Sequence, residues 1–291
     1  MKRMMILLIA AGFGSSARAD NRTDTSLFMK PEGSAYQTEI RSKSGDLYLS
    51  IGHHGPAVEN EWMALRIYFD QKGAIDVYNK ARPGLELKES RWYPDAEKQK
   101  AGWGADYYKV GKTVGLGGVR LWDGKKVVML NPVTMRTARV SRKEDSSVME
   151  MISEGVPYKD RKVDILVRVT VRSGVRFADV EAGVLSGGPV QFITGINYHP
   201  GLQILKKQGR IATWGVHPED VAAEKAAVGA ALVYQPGDFA KQHDNGSEIL
   251  LISKSNAKIA TKVISACARE PEVNTMDKFV EYIDSHGVSS P

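Results

Sequence analysis

The chain holds a single cysteine, Cys267, in 291 residues. One thiol excludes an intrachain disulfide and a thiolate zinc cluster, so stability must come from an apolar core, which this length can supply. Long hydrophobic runs are also missing. The apolar stretch at residues 4–13 falls short of the ~20 residues a membrane-spanning helix needs. The sequence contains no G-x-x-x-x-G-K-[ST], no G-x-G-x-x-G leading into a helix, no H-E-x-x-H and no G-x-S-x-G. The glycine-rich run at 111–118 therefore reads as a turn between strands. Repeats, low-complexity tracts and proline-rich linkers are absent. Charge of one sign is lacking too. The formal charge is +6, half of it from Lys2, Arg3 and Arg18, and the other basic residues are dispersed. Nucleic acid is not an expected partner.

Residues 1–19 have the layout of a cleavable leader. Lys2 and Arg3 precede the apolar run, and Ala17-Arg18-Ala19 supplies small residues at the cleavage positions, so a mature chain is expected to begin near Asp20. No lipobox cysteine follows. Export without disulfides suits the bacterial periplasm or a secreted protein, with residues 20–291 forming a single domain.

Twenty-eight glycines, 11 tyrosines and 5 tryptophans favour turns and strands. Alternating patterns predict strands at 46–51, 62–69, 74–78, 137–141, 147–153, 162–173, 176–181, 191–195, 210–214, 230–234 and 249–253. Asp123-Gly124 marks a hairpin between strands at 119–122 and 126–130. The clear helix is 276–285, capped by Asn274-Thr275 with Phe279 and Ile283 four apart. Residues 221–227 fit one or two helical turns, or a loop. The expected class is all-β, with large antiparallel sheets facing each other; a barrel and a two-domain β protein are the competing forms.

Polar and aromatic residues concentrate between 53 and 118. His53-His54 sit in a glycine-bounded turn, followed by Glu59-Asn60-Glu61-Trp62, Arg66, Asp76, Trp92-Tyr93, Trp103 and Asp106-Tyr107-Tyr108-Lys109. Aromatic rings beside charged groups suit sugar binding, since flat rings cover the apolar faces of a pyranose and charges take its hydroxyls. The same residues also suit a β core with a charged outer face. Arg66 must be paired if it faces inward. It fits a bidentate clamp on a substrate carboxylate and, equally, a link to Glu61 or Asp76. His199 follows one strand and His217 another, while His243 reads as part of a polar loop. No cofactor motif is present. A metal is not expected, although carboxylate-bound calcium stays open without an EF-type loop. Cys267 reads as a small buried hydrophobe.

Glu59-Asn-Glu-Trp-Met-Ala-Leu-Arg66-Ile-Tyr68, Gly73-Ala-Ile-Asp76-Val-Tyr78, Trp92-Tyr93, Gly104-Ala-Asp106-Tyr-Tyr-Lys109-Val-Gly111 and Gly117-Gly-Val-Arg-Leu-Trp122 resemble the DUF4861 family. Thr194-Gly-Ile with His199, and the stretch from Asn274 to Tyr282, match its pattern as well. The resemblance implies an exported bacterial protein linked to polysaccharide breakdown. It implies a galactose-mutarotase-like β-supersandwich with a short C-terminal helix, a fold also used by polysaccharide lyases. Some members are similar to dehydratases of oligosaccharides ending in an unsaturated uronic acid. Where the family often carries a His ahead of Gly-x-Asp-Tyr-Tyr, residues 97–103 carry none.

The implied activity is that of a lyase or dehydratase on acidic oligosaccharides. In it, Arg66 with Lys109 neutralises a uronate carboxylate, His199 or His53 serves as base, and Tyr107 or Tyr108 as acid. The two tyrosines are neighbours on an extended chain and point to opposite faces, so only one can serve. Glu59, Asn60, Glu61, Asp76, Trp92, Trp103 and Asp106 would line the sugar site. A sugar epimerase or mutarotase and a non-catalytic carbohydrate-binding protein are the alternatives.

Overall fold

The computed structural model describes residues 22–31, 34–218 and 222–286. The leader expected at 1–19 lies outside the described residues. Strands follow in chain order as β1 (Asp24–Ser26), β2 (Glu39–Ser42), β3 (Ala57–Glu59), β4 (Met63–Ile67), β5 (Ile75–Asn79), β6 (Arg120–Trp122), β7 (Val127–Val128), β8 (Met135–Arg142) and β9 (Ser146–Tyr158). Then come β10 (Arg161–Arg172), β11 (Phe177–Ser186), β12 (Val190–Asn197), β13 (Gln203–Lys207), β14 (Arg210–Val216), β15 (Ala227–Tyr234), β16 (Phe239–Asp244), β17 (Glu248–Asn256) and β18 (Lys258–Cys267). Three helices accompany them: α1 (Leu87–Ser90), α2 (Ala96–Lys100) and α3 (Met276–His286).

The strands pair antiparallel in three sheets. The largest runs β13-β14-β15-β18-β11-β10-β9-β8-β2, a second runs β16-β17-β12-β6-β7, and a third runs β1-β3-β4-β5. Val167, Val169, Val171, Met149, Met151 and Val180 of the nine-stranded sheet pack with Phe192, Ile196, Leu121 and Leu251 of the five-stranded sheet in one apolar core. Val58, Leu65, Ile67, Ile75 and Val77 of the small sheet join the same core. This is an all-β, many-stranded antiparallel architecture of the β-supersandwich kind, closed by a short C-terminal helix. Helix α3 forms where its cap predicts. Thr275 Oγ1 accepts from Lys278 N at 3.4 Å, and Phe279 and Ile283 are fully buried on Trp214, Ala231 and Ile264 at one end of the large sheet.

The small sheet is buried on both faces. Residues of alternate parity point away from the main core, so Ala57, Ala64 and Tyr78 meet Leu87 and Trp92 from the segment that carries α1. Arg66 and Asp76 share that parity and stand directly opposite each other across β4 and β5.

The strand expected at 46–51 does not form. Asp46 Oδ1 accepts from Tyr48 N at 3.0 Å, and Leu47 O accepts from Ser50 N and Ile51 N, so the segment turns instead. His243 lies in the edge strand β16 and not in a loop. Residues 222–226 are irregular, and β15 begins at Ala227. Strands β13 and β16 are largely exposed edges whose polar residues carry little alternation.

Beside β3 the fold is tied by a buried ion pair. Lys80 Nζ donates to Glu59 Oε2 at 2.5 Å and to the carbonyls of Asn60 and Gly84 at 2.6 Å. Glu59 also accepts from the amides of Glu86 and Leu87. Lys80→Met removes the cation and leaves a buried carboxylate. It is expected to cost about 3–5 kcal/mol, read as a lower urea midpoint, with the Lys80→Met/Glu59→Gln double variant recovering part of the loss.

Candidate functional site

Three separated pieces of chain converge at one edge of the sandwich. His199 follows the end of β12 in the five-stranded sheet, and His217 follows the end of β14 in the nine-stranded sheet. Lys109 lies in the connection between β5 and β6. The imidazole rings stand 4.8 Å apart, edge to face, and the Tyr108 ring lies 4.6 Å from that of His217.

The Lys109 peptide determines what each histidine can do. Its carbonyl lies 2.9 Å from His199 Nε2, and a carbonyl only accepts, so His199 carries its proton on Nε2. The acceptor lone pair of His199 is therefore on Nδ1. The Lys109 amide donates to His217 Nδ1 at 3.2 Å, so neutral His217 also carries its proton on Nε2. The main chain of one residue thus takes the donor end of one ring and the acceptor end of the other. His199 retains a basic nitrogen and His217 retains an N–H. Asn197 Nδ2 donates to the same carbonyl at 2.9 Å.

The site is electrically quiet. Burial first, then neighbouring His199, pushes His217 from the usual 6.5 down to about 3, so it is neutral at working pH. Burial, followed by the Asp76 charge, holds Tyr108 well above the usual phenol range. His217 Nε2, Tyr108 Oη and Asn197 Oδ1 are buried with no hydrogen bond of ordinary geometry among the described residues. Each such orphan costs about 1–3 kcal/mol, which a ligand offering the complementary atom would relieve. His217 lines a narrow crevice with Asp106, Tyr107, Pro218 and Lys225. Its free volume of about 20 Å³ admits one group the size of a water molecule.

Arg66 stands behind this crevice. It donates to Asp76 Oδ2 at 2.9 and 2.6 Å, to Asp106 Oδ2 at 3.0 Å and to Tyr93 Oη at 3.0 Å, with Trp92 stacked 4.3 Å from its guanidinium. Of the two partners expected for it, Asp76 is the one it takes. The guanidinium is 2% exposed and already paired, so it is not open to clamp a substrate carboxylate. Trp92 is fully buried and donates to Asp106 Oδ2 at 3.1 Å. Asp106 therefore joins the Arg66 cluster to the crevice wall.

The other expected residues divide clearly. Tyr107 and Tyr108 point apart, as their adjacency predicts: the Tyr107 hydroxyl accepts from Arg269 at 3.0 Å, while Tyr108 meets His217. His53 lies elsewhere in the interior, 2.7 Å from Ser26 Oγ, and its ring packs on Phe28 and Trp92 and not on His199 or His217. Glu59 is fully engaged by Lys80. Asn60 bonds the carbonyls of Arg172 and Val175, and Glu61 accepts from Ser173 Oγ and Gly174 N. These three knit the protein's own loops and do not form a sugar cleft. Trp103 is half-buried, with Lys98 4.7 Å above its ring. Lys109 acts in the site through its main chain. Among the described residues no three His, Cys, Asp or Glu side chains form a metal-binding group.

Sequence reasoning gave no role to His217, Asn197, Lys225 or Arg269. The available signal was positional: His199 and His217 each follow directly on the end of a strand.

The buried histidines also predict a pH dependence. Burial, with Arg66 next, brings His53 down to about 3 as well. In the unfolded chain both His53 and His217 take up a proton near pH 6.5, whereas the native protein resists protonation until about pH 3. Their contribution to stability is complete above pH 6.5 and declines as pH falls from 6.5 toward 3, by up to about 1.4 kcal/mol per pH unit for each histidine. Urea midpoints between pH 7 and 4.5 will show that slope, and His217→Gln is expected to lessen it by one histidine's share.

Backbone comparisons give distant likenesses. A putative aldose 1-epimerase from Klebsiella pneumoniae subsp. pneumoniae MGH 78578 has a TM-score of 0.42 at 8% identity, over 91% of this chain and 95% of that one. A heparan sulfate lyase HepC mutant from Pedobacter heparinus has a TM-score of 0.38 at 11% identity, over 73% of this chain. This chain spans 33% of that lyase. A 4-alpha-glucanotransferase from Thermococcus litoralis has a TM-score of 0.36 at 11% identity, over 73% and 37% of the two chains. No protein of curated function is matched by sequence. No helix among the described residues is long and apolar enough to cross a membrane. The family described as Domain of unknown function (DUF4861) matches residues 13–287, and the chain belongs to it.

Proposed function

We propose that this chain is a carbohydrate-active enzyme, a lyase or dehydratase that removes a proton α to the carboxylate of a uronic acid within an oligosaccharide. The observation that carries this reading is the sharing of the Lys109 main chain between two histidines, which leaves a base and a neutral donor 4.8 Å apart between ring centres. His199 Nδ1 takes the α-proton. The His217 N–H bonds the carboxylate oxygen as charge gathers there; a neutral imidazole can do this without itself ionising. The electron pair left on carbon forms a double bond to the neighbouring carbon as that carbon's oxygen substituent departs. Tyr108 protonates the departing oxygen. Lys225 on the crevice wall and Arg269 beside Tyr107 take the place first expected for Arg66 as carboxylate partners.

The size of the crevice favours dehydration over chain cleavage. It admits a hydroxyl leaving as water, while a departing sugar would have to remain outside. The sugar ring then lies over the mouth and sends one substituent inward.

Incubation with oligosaccharides from pectin, ulvan or alginate that end in a saturated uronate with a free hydroxyl β to its carboxylate is expected to raise ultraviolet absorbance, as the new double bond conjugates with the carboxylate, and to lower product mass by one water. His199→Gln and Tyr108→Phe are each expected to lower kcat about 10²–10⁴-fold with the fold intact by circular dichroism. Solvent deuterium entering the sugar without loss of water would instead mark an epimerase. No product from any of these substrates would leave carbohydrate binding alone. The leader read at residues 1–19 assigns the activity to the periplasm or the medium. N-terminal sequencing of protein recovered from a bacterial host should then begin near Asp20, and an intact Met1 in the exported fraction would overturn that assignment.

A further inference from the structure

A roomier hollow than the crevice lies apart from it. It lies on the outer face of the nine-stranded sheet, where α3 leaves it uncovered. Three cavities of about 560, 410 and 250 Å³ follow one another across the strands. The first two share Thr170, Arg172 and Glu181, and the last two share Ser141, Val148 and Glu150. They therefore form one trough crossing from β14 to β2. At ~4.8 Å per strand it is roughly 34 Å long. None of its lining residues borders the crevice at His217.

Register builds its floor. Glu39, Arg139, Glu150, Arg168 and Glu181 stand directly opposite one another on successive strands, β2 through β11. Arg139 bonds Glu39 at 2.6 Å and Arg168 bonds Glu150 at 2.7 Å. Exposed cross-strand pairs of this kind contribute only about 0.2–1 kcal/mol each, enough to favour the register. They do not account for a hollow. At the β14 end Arg210 and Lys262 border the trough, standing opposite Val233 from either side. Six cationic and four anionic side chains line the trough in all.

We propose that this trough holds an extended strand of acidic polysaccharide, the polymer from which the enzyme's short substrates derive. The length of the trough fits a chain of several sugars running across the strands. Fixed ion pairs present donors and acceptors to sugar hydroxyls, and the excess of cations suits carboxylates. The proposal rests on the acidic-sugar reading of the crevice, but its test does not require turnover.

Native electrophoresis of the full chain through gels containing polygalacturonate or alginate is expected to retard it, and dextran is not. Lys262→Glu/Arg139→Glu, with charges reversed in two of the cavities, is expected to weaken the apparent affinity about tenfold, and the Gln/Gln pair less. Circular dichroism will confirm that both variants fold. His217→Gln, altered at the crevice, is expected to be retarded like the parent even where turnover is lost. Absence of retardation by either acidic polymer, equal retardation by dextran, an unchanged charge-reversal variant, or loss of retardation in His217→Gln would each overturn the proposal.

Discussion

The pairing of Arg66 with Asp76 and Asp106 is the constraint on which the site depends. Asp76 comes from the same small sheet, so that bond needs only the register of β4 and β5. Asp106 comes from the long connection after β5, so the second bond fastens that connection to the sheet. Trp92 stacks on the guanidinium and donates to Asp106, which closes the cluster against water. A buried arginine without its carboxylates would be costly, and so would the carboxylates without the arginine. Each therefore holds the others in place. Lys109 lies three residues beyond Asp106, and the position of its peptide follows from this anchor.

From that peptide the chemistry is set by hydrogen-bond polarity alone. An amide donates and a carbonyl accepts. Two otherwise similar histidines become a base and a donor because one meets the carbonyl of Lys109 and the other its amide. Burial keeps His217 and Tyr108 neutral. Neutral donors cost less to bury than charges and can meet a negative charge as it forms. The unpaired polar atoms of His217, Tyr108 and Asn197 are the cost of holding such a site ready.

The two faces of the nine-stranded sheet divide the work of the fold. The inner face is mainly apolar and supplies the core shared with the other sheets. The outer face is covered by α3 at one end and carries ordered charge elsewhere. A period of two residues makes both faces from the same strands: on β10, Val167, Val169 and Val171 point inward, and Arg168, Thr170 and Arg172 outward.

Much of this was written in local pattern. Alternation at 162–173, the Asp123-Gly124 turn, and the cap and apolar spacing of 274–285 report local geometry, and the strands and helix formed there. By itself the sequence determined a β-rich chain, a core without disulfides, His199 at a strand end, and the opposition of Tyr107 and Tyr108. It also required Arg66 to be paired, because burial of a lone charge is prohibitive at any position in any fold. The choice between a substrate carboxylate and Asp76 belonged to the tertiary structure. So did the meeting of His199 with His217, eighteen positions apart and on different sheets, around a peptide ninety residues from the nearer of them. Local periodicity shows which face a side chain takes, but no local rule carries the distance between strand ends in separate sheets. That distance exists only once the sheets have packed.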